Sequence, residues 1–116
     1  MTPARTQALL WFAQRASAVA LAACIVVHLA TMIVAVRGGL SAAEILGRTR
    51  GSLVWAAFYG TFVVAVAIHA PIGARTIVAE WRGAHARAID VAAGVLAAAL
   101  LGLGLRAVYA VTGAAA

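Results

Sequence analysis

Three long stretches of this chain carry no charge, and the charged residues collect between them. Residues 16–36 and 51–74 are uninterrupted. A third run opens after Asp90, covers 91–105 and continues past Arg106. A helix of roughly 20 apolar residues crosses the hydrocarbon core of a bilayer. The first two runs meet that length as they stand. The third meets it with Arg106 near the far headgroups, its side chain extended to the interface. The pattern predicts an all-α membrane protein, one transmembrane domain over 1–116, with helices at about 9–36, 52–81 and 87–112.

The segments between the runs look like surface connections. Residues 37–50 contain a Gly-Gly break and then Ser41, with Glu44 three residues on. That is the spacing of a capping box, and it predicts a short surface helix. Residues 80–90 mix charges of both signs with Trp81, and Trp11 and Trp55 lie near other span ends, as interfacial anchors do. His85 and Asp90 read as solvated loop residues or as contacts to a partner subunit. Neither connection is long enough to house an enzymatic domain.

Composition sharpens the picture. The chain is 66% hydrophobic and 10% charged, well outside the range of soluble domains. Its net charge of +6 comes from nine arginines scattered among apolar runs, with no single basic face for nucleic acid. The lone Cys24 lies inside an apolar run, with no second thiol for a disulfide or a metal. The early polar residues and the length of the first run argue against a cleaved signal peptide. Arg5, Arg15, Arg75, Arg82 and Arg87 fall on one side and Arg37, Arg48, Arg50 and Arg106 on the other. By the positive-inside rule this slight excess predicts a cytoplasmic N-terminus.

Gly94, Ala98 and Gly102 repeat at four-residue spacing, a small-residue face that lets another helix approach closely. Packing within this chain and docking of a partner both account for it.

Two histidines, His28 and His69, lie inside the spans, where ionisable residues are costly and usually face a bundle interior. A neutral imidazole is also a standard axial ligand of haem iron. Ser17, Cys24, His28 and Thr31 share one mildly polar stripe of the first helix. His69 shares a face with Gly73, Thr76 and Glu80, and Gly73 leaves space one turn away for a flat macrocycle. Pro71 removes a donor to Ala67 and predicts a loosened or kinked turn. Arg75, near the membrane edge, suits a haem propionate or a lipid phosphate. At 1.5 Å per residue the two histidines differ in depth by about 10 Å, too much for both to bind one iron. Cross-helix packing remains the alternative role for each.

The segment His69-Ala-Pro-Ile-Gly73-Ala-Arg75, followed by Glu80, resembles the H-x3-G-x-R-x4-D signature of succinate dehydrogenase cytochrome b membrane-anchor subunits, the complex II family. Gln14-Arg15-Ala16-Ser17 is similar to the H-R-x-S-G segment opening the first helix of that family. Chain length and helix number agree as well. The resemblance implies half of a heterodimeric haem-binding helical bundle in a bacterial cytoplasmic (inner) membrane. It implies partners too: an iron–sulfur subunit, a flavoprotein subunit and a second small membrane-anchor subunit, with the succinate chemistry on other chains. By position, His69 becomes the axial ligand of haem b. Gly73 accompanies it, and Arg15, Ser17 and Arg75 fall in the quinone or propionate environment. His28 resembles the first-helix histidine of two-haem anchors and is the candidate for a second haem. Gln14 replaces the family's histidine, Ala18 its glycine, Glu80 its aspartate, and Trp11 a serine that contacts quinone. A haem-free structural anchor, or the anchor of a fumarate reductase or another flavoprotein dehydrogenase, is the rival reading.

Overall fold

The computed structural model describes residues 3–113. It contains four α-helices, α1 (Pro3–Gly38), α2 (Ala42–Thr49), α3 (Leu53–Arg82) and α4 (Arg87–Val108), and α4 runs on into a π-helical segment, Tyr109–Gly113. Three of these units are long and apolar enough to cross a membrane: α1, α3, and α4 with its π-helical extension. The chain is therefore an all-α membrane protein with no strand among the described residues.

Local chemistry sets most of the boundaries. Ser41 caps α2: its hydroxyl accepts from the Glu44 amide at 3.2 Å, and the Glu44 carboxylate accepts from the Ser41 amide at 3.3 Å. This reciprocal pair is the expected capping box. Gly39 precedes it with φ of 121°, and a Cβ there would overlap the Glu44 carboxylate, so only glycine fits. Ser52 caps α3 by accepting from the Trp55 amide at 3.2 Å. Gly83, at φ 67°, ends α3 in the left-handed conformation typical of a helix terminus.

Two ends depart from the pattern-based expectation. The first helix starts at Pro3, about two turns before residue 9, because the polar turn carrying Arg5 and Gln7 is helical although it is not apolar. Proline suits a first turn, where its missing N–H would be unpaired anyway. The third span changes character at its end. The Thr49 hydroxyl donates to the Val111 carbonyl at 2.7 Å, and the Gly51 amide donates to the Thr112 carbonyl at 2.8 Å. These donors, at the end of α2 and just beyond it, satisfy terminal carbonyls and tie α2 to the widened last turn.

Helix α3 is central and packs against both α1 and α4. Its buried residues are Ala65, Ala67 and Pro71, and those of α1 are Ser17, Cys24 and Ala35. The polar stripe of α1 is therefore the inward face. The helix continues through Pro71 without interruption. Contact between α3 and α4 rests on Gly104, where an added Cβ would run into Val63. Gly94 and Gly102 instead face open space and Ala98 is exposed, so the small-residue face is not used within this chain. Large apolar side chains point outward on every span, Val19 and Leu103 among them at 72% and 67% exposure. Outward apolar and inward small residues are the arrangement expected when the surroundings are lipid or other membrane helices.

Candidate functional site

The polar residues of the inner face form two groups at different depths. In the first, His69 of α3 meets Ser17 of α1, with Nδ1 3.4 Å from the hydroxyl oxygen. Ser17 is 6% exposed, and its hydroxyl donates to the Gln14 carbonyl 3.1 Å away. The Gln14 side chain lies over Gly73. An added Cβ at Gly73 would sit 3.3 Å from Gln14 Nε2, and Gln14 Oε1 is buried without a partner. The space that glycine opens beside His69 is thus occupied by a flexible amide, at the position where the signature's first segment places histidine.

Arg75 lies one and a half turns beyond His69 and is already paired. Its Nε donates to Asp90 Oδ1 at 2.6 Å, and His85 Nε2 lies 2.8 Å from the same oxygen. Arg75 Nη2 is 3.2 Å from His85 Nε2. His85 and Asp90 are therefore joined to Arg75 in one cluster that closes the α3–α4 connection. Both side chains stay exposed, in keeping with their reading as solvated loop residues, and the structure adds their link to Arg75. The sequence offered no signal for it beyond the shared polar loop. Arg15 points outward from α1, its guanidinium 5.2 Å from the centre of the Trp11 ring. Thr76 is exposed and bonds back to the Ile72 carbonyl at 3.0 Å, while Glu80 is exposed as well.

The second group surrounds His28. Its ring meets Tyr59 and Phe62 edge to face, with centroids 6.0 and 5.7 Å apart. His28 Nδ1 is buried and has no hydrogen-bond partner. The histidine lines an apolar cavity of about 600 Å³ shared by α1, α2, α3 and α4, with Thr49, Leu100 and Val111 on its walls. Tyr59 and Phe62 are neighbours that periodicity alone did not single out. Thr31 accompanies His28 only through its backbone, donating to the His28 carbonyl at 2.7 Å.

The two histidines lie at separate levels. Eleven residues of α1 separate Ser17, beside His69, from His28, and seven residues of α3 separate Phe62, beside His28, from His69. These intervals correspond to about 16 Å and about 10 Å of helix. One iron cannot span them.

A donor set of single imidazoles inside apolar spans fits haem. Haem takes its axial ligands one at a time, and a buried nitrogen without a partner is costly unless something else satisfies it. Among the described residues no three His, Cys, Asp or Glu side chains gather into a chelating cage, so each histidine would act alone.

Comparison with known proteins yields one match. The family described as succinate dehydrogenase/fumarate reductase transmembrane subunit matches residues 1–105. No curated protein and no solved structure matches the chain. The match covers all three apolar runs and both histidines of the spans, and the chain belongs to the family of succinate dehydrogenase/fumarate reductase transmembrane subunits.

Proposed function

We propose that this chain is the cytochrome b anchor of a succinate:quinone oxidoreductase, with His69 as an axial ligand of haem b. The observation that supports it most is the placement of His69 inside a membrane span of a chain of this family, one nitrogen turned to Ser17 and Nε2 left outside that bond. Haem at this position would supply a one-electron carrier within the bundle. The chain's own residues orient the imidazole, exclude water with small apolar neighbours and hold charge at the membrane edge. Arg15, its guanidinium over the Trp11 ring, forms the side of the site facing quinone. Arg75 serves the propionate region, sharing its charge with Asp90.

Docking supports the same reading. Gly94, Ala98 and Gly102 present an exposed small-residue face that this chain does not cover, suited to a helix of the second small anchor subunit. The iron–sulfur and flavoprotein subunits would sit over the end that holds the Arg75–Asp90–His85 cluster. That end is cytoplasmic in a bacterial inner membrane. The family description covers both directions of turnover, so fumarate reduction is served by the same anchor chemistry.

The test is a dithionite-reduced minus oxidised spectrum of the complex purified in mild detergent, for wild type and His69→Ala. Sharp b-type α and Soret bands in the wild type, diminished in His69→Ala, are expected. A featureless wild-type spectrum would leave a haem-free anchor.

A further inference from the structure

The contacts of Ser17 constrain the protonation of its neighbour. Its hydroxyl has one hydrogen and lies near two groups: the Gln14 carbonyl at 3.1 Å and His69 Nδ1 at 3.4 Å. The carbonyl can only accept. The imidazole nitrogen can donate or accept, according to tautomer. If Nδ1 were the lone-pair nitrogen, one hydrogen would have to serve two acceptors, and one contact would become a lone-pair repulsion. Only the tautomer with the proton on Nδ1 satisfies both, with the Ser17 hydroxyl donating to Gln14 and accepting from His69. The bond from Ser17 back to residue i−3 is a common one for serine on a helix, which makes the direction of its hydrogen secure. Ser17 is 6% exposed, so bulk water does not compete for it.

We infer that Ser17 is a positioning residue that holds His69 in the Nδ1–H tautomer and thereby presents the Nε2 lone pair to the iron. The hydrogen bond made by one ring nitrogen decides which nitrogen is free to bind a metal. The same bond fixes the ring's rotation about its side-chain torsions and raises the electron-donating power of the ligand. The inference deepens the proposed function and rests on His69 as a haem ligand. It also gives Ser17, which the resemblance puts in the quinone or propionate environment, a place behind the haem ligand. The Ser17–His69 contact joins residues 52 positions apart, so it additionally sets how α1 is rotated against α3.

Ser17→Thr and Ser17→Val separate the hydroxyl from shape, because the two side chains are nearly isosteric. A cavity of about 510 Å³ beside Ser17, lined by Ala20, Gly60 and Val64, gives the added methyl groups room. The assembled complex is purified for wild type, both variants, Ser17→Ala and His69→Ala, and each is compared by haem-to-protein ratio and by a spectroelectrochemical titration of the b-type band. Losing the acceptor weakens donation to ferric iron. Ser17→Val and Ser17→Ala should therefore titrate at a higher midpoint potential than wild type and release haem at least about tenfold more readily, while Ser17→Thr stays close to wild type. Threonine and valine variants with the same potential and the same haem content overturn the inference. If valine prevents assembly, alanine against wild type decides the point in the same way. His69→Ala keeps the two questions apart: full b-type bands in that variant would remove the haem assignment itself, whatever Ser17 does.

Discussion

Arg75 and Asp90 join the end of α3 to the start of α4 through a 2.6 Å bond from Nε to Oδ1, and the same oxygen is reached by His85 Nε2 at 2.8 Å. One carboxylate therefore orders a connection whose tightest point is Gly83 in a left-handed turn. It also holds the Arg75 guanidinium against the α3–α4 connection.

Asp90 is 47% exposed at its side chain, and ion pairs in such surroundings add little to stability. Asp90→Ala should leave thermal unfolding of the complex close to wild type. It should nonetheless speed cleavage after Arg82 and Arg87, which flank the 83–86 connection, because Arg75 and His85 lose their common partner. Limited trypsin digestion with mass mapping measures this, and identical cleavage rates would contradict it.

Gly104 and Gly102 should respond oppositely to the same change. A methyl at Gly104 meets Val63, whereas one at Gly102 meets nothing within 4 Å. Gly104→Ala is expected to destabilise the α3–α4 pair by about 1–3 kcal/mol, the usual cost of overpacking. Adding Val63→Ala should recover most of that loss. Gly102→Ala should be neutral in unfolding of the isolated chain in detergent.

Larger residues on the outward small face test docking. Gly94→Leu with Gly102→Leu should leave the helical content of this chain intact, since a Cβ at either position meets nothing within 4 Å. Co-purification of the second anchor subunit should fall sharply. Full recovery of the assembled complex would show that this face looks onto lipid.

Thr49 is the link between the α2 surface helix and the π-helical end of the third span. Thr49→Val keeps the shape but leaves the Val111 carbonyl without its 2.7 Å donor in a site where Thr49 is 7% exposed. A cost of about 1–3 kcal/mol is expected for the stranded acceptor. Hydrogen exchange of the Gly51 amide, which donates to the adjacent Thr112 carbonyl, should accelerate with it.

His28 tests the second level. With Nδ1 buried and unpartnered, and a cavity of about 600 Å³ alongside, His28→Ala should remove part of the b-type absorbance. The His69-dependent part should remain. An unchanged spectrum in that variant would make His28 a packing residue against Tyr59 and Phe62.

The spans, the surface helix and the polar stripe of α1 were all legible in the sequence. Each is a local property. In the hydrocarbon core the backbone must satisfy its hydrogen bonds within the segment, so a long uncharged run has to be a helix. The capping box at Ser41 and Glu44 works over three residues and was equally visible. So was the separation in depth of His28 and His69, which depends only on helical rise along spans of known order.

Other features depended on how the helices are rotated about their own axes, which hydropathy does not encode in segments apolar all the way round. Rotation brought Ser17 to His69, laid Gln14 over Gly73, and gave Arg75 a carboxylate instead of an open edge. It put Gly104, rather than the evenly spaced Gly94 and Gly102, at the contact with α3. It also set Thr49 against Val111 across 62 positions. The sequence alone determined how many helices cross the membrane and which residues have chemistry at each depth. The tertiary structure decided which of those residues meet, because side chains distant along the chain become partners only when packing fixes the facing surfaces of their helices.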